Sequence, residues 1–90
     1  MAKFPMLPLY TDAFIADTQH LSTEEVGAYM LMLMTAWRSP TCSLPNDDVM
    51  LARITRLGKR RWKRCRENLL AFWRQDWSAP LGPGRIRPLV

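Results

Sequence analysis

Apolar residues between positions 21 and 38 recur every three or four positions, the spacing of a helix with one buried face. Ser22 and Glu25 stand three positions apart at the start of this segment, which is the arrangement of a capping box. Ser39 and Pro40 cannot continue a helix, so we predict that it ends near Arg38. The residues expected on its buried face are Val26, Tyr29, Met30, Leu33, Met34 and Trp37.

The residues before this helix predict less regular structure. Prolines among the apolar residues of the stretch 4–10 favour an extended chain through about residue 11. A short helix is expected from about Asp12 to Asp17, with Phe14 and Ile15 facing the core.

Two later segments together predict a helix-turn-helix. Asn46 is a suitable N-cap for a short helix of two to three turns, and Gly58 suits the sharp turn that follows it. A longer basic helix is expected from Lys59 to Trp73. The apolar residues that gather on one side of this helix are Trp62, Cys65, Leu69, Phe72 and Trp73.

The end of the chain gives weaker signals. Trp77 and Ile86 could belong to a small hairpin, whereas the prolines and glycines between residues 80 and 88 favour loops. We therefore predict a mainly α, helix-turn-helix or winged-helix-like single domain. Its helical part would span residues 1–73, and residues 74–90 would form either a small β wing or an irregular tail.

Charge divides the chain into two unlike halves. Residues 1–48 hold two cations and six acids, a net charge of −4, whereas residues 49–90 hold eleven cations and two acids, a net charge of +9. Eight cations and no acid lie between Arg53 and Arg66. Such an asymmetry favours a polyanionic partner over a merely solvated basic face.

Duplex DNA is the first candidate for that partner. We expect Arg60, Lys63 and Arg64 to enter a DNA groove, because arginine in particular can bind guanine edges or phosphates with its planar fork. The cations expected to hold phosphates are Arg53, Arg56, Lys59 and Arg61. Glu67, on the same face, would either accept a hydrogen bond from a cytosine amino group or pair with Lys63. The alternative is an interaction module whose basic face docks on an acidic protein.

Other classes of function find little support in the sequence. Cys42 and Cys65 are isolated and His20 is the one histidine, so neither a zinc site nor a nucleophilic motif can be recognised. We expect no catalytic residue, no metal ion and no cofactor. The chain has no apolar run of membrane-spanning length and no secretory signal at its start, which predicts a cytoplasmic protein.

An ordered set of short motifs resembles the YdaU-like proteins of phages and prophages, a family of unknown function. The match runs from about Pro8 to Trp73. The motifs that carry it are Pro8-Leu9-Tyr10, Phe14-Ile15-Ala16-Asp17-Thr18, His20-Leu21-Ser22-Thr23-Glu24-Glu25, Gly27-Ala28-Tyr29, Trp37-Arg38, Leu44-Pro45-Asn46-Asp47-Asp48, Leu51-Ala52-Arg53-Ile54 and Arg61-Trp62.

The resemblance implies a phage or prophage origin in a bacterial host cell and a role near replication or regulation. No catalytic residue can be transferred from the family, because it has no agreed catalytic assignment. Gly58 departs from the Ser or Thr cap expected at that point, and the Pro/Gly-rich end departs from a regular hairpin. The resulting expectation is a non-enzymatic DNA-binding domain, which would have to act as a homodimer on any symmetric DNA site.

Overall fold

A computed structural model describes residues 6–76 and 84–88 of the chain. Over these residues the chain forms four helices and three short strands. The elements are α1 (Thr11–Asp17), α2 (Thr23–Arg38), β1 (Leu44–Pro45), α3 (Asp48–Ile54), α4 (Gly58–Leu70), β2 (Trp73–Asp76) and β3 (Arg85–Pro88).

The start of α2 is fixed by the predicted capping box. The Ser22 side-chain oxygen accepts from the Glu25 backbone N–H at 3.1 Å, and a Glu25 carboxylate oxygen accepts from the Ser22 N–H at 2.9 Å. The buried face of α2 is rotated from the predicted one, since Ala28, Met32 and Ala36 are buried whereas Met34 is exposed. The small alanines allow α3, α4 and β1 to pack closely on that side, which apolar periodicity alone does not reveal.

The helix α1 forms close to its predicted bounds but contacts the core through one side only. Phe14 is half-buried and stacks on Tyr29 of α2, with ring centroids 5.7 Å apart. The inward orientation predicted for Ile15 is wrong, because 62% of that residue is exposed. A helix of two turns that meets one neighbour can bury one stripe, and Phe14 occupies it.

The turn between α3 and α4 uses two residues in the left-handed region. The N-cap of α3 is Asp47 rather than the predicted Asn46, and its carboxylate accepts from the Val49 N–H at 2.9 Å. After α3 ends, Arg56 has a φ of 61° and Gly58 a φ of 79°. Glycine adopts this conformation readily, whereas an arginine there is strained by about 1 kcal/mol.

The three strands form one antiparallel sheet in the order β1-β3-β2. The predicted extension of α4 to Trp73 is wrong, because the helix ends at Leu70 and Trp73 begins β2 opposite Pro88. Trp73 is nevertheless buried, so its apolar character serves the sheet rather than the helix. The order helix, strand, helix, helix and two-stranded hairpin from α2 to β3 is that of a winged helix, and the predicted fold class is confirmed.

The core lies where α2, α3, α4 and the sheet meet. Trp62 of α4, Met32 of α2 and Leu44 of β1 are among its largest fully buried side chains. This core holds α4 against the body of the domain along one side and leaves its opposite side facing solvent. Within the described residues, no helix has the length and apolar character needed to cross a bilayer.

Candidate nucleic-acid interface

The orientation of α4 is set by its buried stripe. Trp62, Cys65 and Leu69 point into the core. At about 100° per residue, Arg60, Arg64 and Glu67 then lie on the opposite side of the helix. Lys59 and Arg66 flank the buried stripe toward α3, whereas Arg61 and Asn68 flank it toward the start of α2. The outer and α3-facing sides of α4 therefore form one continuous surface.

A groove of about 760 Å³ lies beside α4 on its α3 side. Its lining combines apolar side chains with the heads of five cations, and Asp48 is the one carboxylate among the residues that line it. The lining residues are Asp48, Val49, Ala52, Arg53, Arg56, Gly58, Lys59, Trp62, Lys63 and Arg66. Such a groove has the charge of an anion-binding surface.

Five of the seven predicted DNA-contacting residues are exposed and make no side-chain hydrogen bond or ion pair with the described part of the chain. They lie together around the turn from α3 to α4. Four of them line the groove, and Arg60 lies on the adjoining outer side of α4. We call these five residues the unpaired cations: Arg53, Arg56, Lys59, Arg60 and Lys63.

The other two predicted residues, Arg61 and Arg64, are held by an acid of α2. Glu24 accepts from Arg64 at 2.9 Å and from Arg61 at 3.3 Å. The hydrogen bond from Arg64 lowers the pKa of the Glu24 carboxyl, against a smaller opposing effect of burial. Both guanidinium groups therefore already have an anionic partner within the domain, which the sequence did not reveal.

A second carboxylate, Asp48, links the first turn of α3 to α4. It accepts from the Arg66 Nε at 2.8 Å and from the Trp62 Nε1 at 3.1 Å. The hydrogen bond from Arg66 and, to a smaller extent, the one from Trp62 lower the pKa of the Asp48 carboxyl. Asp48 thus satisfies the indole N–H of a buried ring and fixes the α3 side of α4, so Arg66 differs from the unpaired cations in the groove.

Charge on α4 is distributed against the helix dipole. The positive N-terminal end carries Lys59, Arg60 and Arg61 and no acid, and Leu57 at the N-cap provides no side-chain hydrogen bond. The last turn holds Glu67 and no base. Cations at an N-terminus and acids at a C-terminus are both unfavourable by some tenths of a kcal/mol each at the surface. An external anion at the start of α4 would offset this cost.

Glu67 is the acid of this surface that has no partner among the described residues. It is exposed, and no hydrogen bond or ion pair joins its side chain to another described residue. The pairing with Lys63 predicted as one alternative is absent. A lysine that precedes a glutamate by four residues is the weaker of the two orders for such a pair.

The hairpin of β2 and β3 adds arginines that sequence reasoning did not include in the site. Arg85 of β3 donates to the Ser43 side-chain oxygen at 3.0 Å, which fastens β3 beside β1. Arg74 of β2 lies opposite Arg87 in the register and is exposed, and no hydrogen bond or ion pair joins its side chain to another described residue. Only the strand pairing itself could have identified Arg74, because it lies outside the basic run.

The polar residues at the start of α2 have structural contacts. The His20 ring stacks on Phe72 at 5.9 Å, whereas Glu24 points toward the arginines of α4. The described residues contain no cluster of three or more His, Cys, Asp or Glu side chains of the kind that holds a metal ion. Cys65 is buried as expected, and burial raises the pKa of its thiol.

Comparison with known proteins identifies the family. A family model described as a protein of unknown function (DUF1376) matches residues 5–81. The uncharacterized protein YdaU of Escherichia coli K12 is 38% identical over 73 residues, which are 81% of this chain and 25% of that relative. The chain thus spans about a quarter of the length of this curated relative. No solved structure gives a significant match. The resemblance to YdaU-like proteins is confirmed.

Proposed function

Because the chain belongs to the DUF1376 family of proteins of unknown function, which provides no activity to transfer, we propose a function from the geometry of its surface. The domain binds duplex DNA without catalysing a reaction, with α4 in the major groove. Its context would be the replication or regulation of a phage or prophage, as the family resemblance implies.

The observation that carries this proposal is the set of unpaired cations around the α3–α4 turn. Long cationic side chains that have no internal partner can exchange water and counterions for phosphates, which is the main source of affinity for DNA. The inverted charge distribution of α4 supports the same proposal. A phosphate near Lys59 and Arg60 would meet both the cations and the positive end of the helix dipole.

The shape of the surface agrees with this partner. The major groove admits one α-helix and is bordered by two phosphate ridges. The outer side of α4 projects beyond the core, and the cationic groove beside it has the charge to receive a ridge. In this arrangement Arg60 reaches toward the base edges, whereas the four unpaired cations that line the groove bind phosphates. Arg61 and Arg64 contribute less, because each must first leave Glu24.

The test is a fluorescence-anisotropy titration of a labelled duplex at several salt concentrations. Each phosphate contact contributes about 0.9 to the slope of log affinity against log salt. The variant Lys59→Ala/Lys63→Ala removes two of the groove cations from α4, so it should flatten that slope by about 2 and weaken binding at every salt concentration.

Two control variants make this test specific. Arg38→Ala removes an exposed cation at the end of α2 and should change the slope little. Arg61→Ala/Arg64→Ala removes the same charge from α4 as the test variant but should have the smaller effect. Absence of duplex binding by the wild type at low salt would refute the proposal, and so would equal losses in the three variants.

A second candidate function is favoured by the apolar part of the groove. Val49 is 65% exposed and Met50 42% exposed on α3, beside the same cations. An acidic amphipathic helix of another protein could cover the valine with its apolar side and the cations with its acids. Val49→Asp would weaken such a complex strongly. It would weaken DNA binding only by the addition of one negative charge.

A further inference from the structure

We infer that Glu67 selects cytosine at one position of the DNA site; this inference rests on the proposed function. The residue is exposed in a run of cations, and no side chain of the described residues neutralises it. It also lies in the last turn of α4, where the negative end of the helix dipole disfavours a carboxylate. In the free domain the helix dipole therefore disfavours the Glu67 carboxylate, and the nearby cations attract it without forming an ion pair.

The position of Glu67 on α4 determines what it can meet. It follows Arg60 by seven residues, so the two share one stripe along the helix, whereas Lys63 lies one turn earlier on the side toward α3. This stripe lies nearly opposite the buried Trp62 and Leu69. When α4 enters the major groove, the residues that point directly away from the core face the floor of the groove, whereas the flanks of the helix face the phosphates.

The hydrogen-bonding groups on the floor of the DNA major groove then decide from which base a carboxylate can accept a hydrogen bond. A carboxylate has hydrogen-bond acceptors and no donor, so guanine O6 and N7 and thymine O4 repel it. The N4 amino group of cytosine donates without an adjacent acceptor on the same base, which makes it the best partner. Arg60 on the same stripe fits the acceptors of a neighbouring guanine. Glu67 thereby weakens binding to most sequences and favours those with cytosine opposite it.

The experiment is selection from a pool of randomised duplexes, followed by anisotropy titration of the selected site and of its single-base variants. The wild type should prefer cytosine at one position by on the order of tenfold. In Glu67→Gln that position should change to adenine, because glutamine pairs with adenine N6 and N7. Glu67→Ala should lose the preference there and bind random duplexes more tightly than the wild type.

Asp12→Asn is the charge-matched control, because Asp12 is an exposed acid of α1, away from the α4 stripe. It should keep the preference for cytosine. An unchanged base preference in Glu67→Gln, or a wild type that binds duplexes with no sequence preference, would overturn the inference and leave the proposed function standing. A wild type that binds no duplex at low salt would overturn both.

Discussion

Two sets of cations on α4 are interleaved in the sequence yet differ in what surrounds them. Arg61 and Arg64 contact Glu24 of α2 at 3.3 and 2.9 Å. Arg60 and Lys63, each next to one of them in the chain, make no side-chain contact of this kind with the described residues. The number and sign of the charges on α4 can be read from the sequence. Their availability to a partner is decided by tertiary neighbours.

Removal of the aromatic ring that supports both sets of cations should have the largest effect. Trp62 is 2% exposed, and its Nε1 donates to Asp48. Trp62→Ala should lower the free energy of unfolding by about 3–5 kcal/mol, because it leaves a large cavity in the core. Urea denaturation measures this loss. Arg60→Ala, on the outer side of the same helix, should stay within about 0.5 kcal/mol of the wild type. A similar loss in both variants would contradict the assigned orientation of α4.

A second change tests whether contact with Glu24 keeps Arg61 and Arg64 from DNA. Glu24→Gln weakens both ion pairs and should increase duplex affinity, with a salt slope steeper by roughly 1 to 2. The same titration of Asp17→Asn controls for the general gain of positive charge. Equal gains in the two variants would mean that removal of one acid, rather than release of two arginines, explains the effect.

The acids that join α2 and α3 to α4 predict a loss of stability in acid. The pKa of Glu25 is lowered from 4.5 by the Ser22 N–H and then by Asn68, and those of Glu24 and Asp48 are lowered by arginines. A lowered folded-state pKa means that the unfolded chain binds protons first as the pH falls. The stabilisation is therefore complete above about pH 5, declines as the pH falls below the unfolded values of 4.5 and 3.8, and is lost below the folded ones. Thermal unfolding at a series of pH values measures it, and Glu25→Gln should make the dependence shallower. An identical pH profile in that variant would exclude Glu25 as a contributor.

The smallest expected effect separates stability from binding within the unpaired set. Arg56 has a left-handed backbone, which glycine adopts without strain. Arg56→Gly should leave stability unchanged or raise it by up to about 1 kcal/mol, while its salt slope for DNA falls by about 0.9. Arg56→Ala is the matched control, because it removes the same charge and keeps the strain. Loss of stability in the glycine variant would indicate that the arginine side chain holds the turn.

Features that depend on a few neighbouring residues could be predicted from the sequence, whereas those that depend on distant ones could not. The capping box of Ser22 and Glu25 needs four consecutive residues, and it forms as expected. Apolar spacing located α4 but not its end, because Phe72 and Trp73 continue the helical pattern while the chain has turned toward the sheet. The same limit explains the exposed Ile15.

The basic run located the seven predicted DNA-contacting residues, which lie on α3, on α4 or in the turn between them. The sequence could not separate the held from the unpaired cations, because Glu24 lies 37 residues from Arg61 and 40 from Arg64. Arg74 was missed for a related reason, since it reaches the surface through strand pairing.

The hydrogen bond between Trp62 and Asp48 also gives the domain an optical signal. The Trp62 indole lines the protein groove beside α4, and its N–H donates to the carboxylate of Asp48, which also accepts from Arg66. Ultraviolet emission from an indole depends on the charges and the water around it. A ligand that enters the groove would therefore alter the emission of Trp62, and comparison with Trp62→Phe would isolate this ring from the other tryptophans. Occupancy of the groove could then be followed in the unlabelled protein.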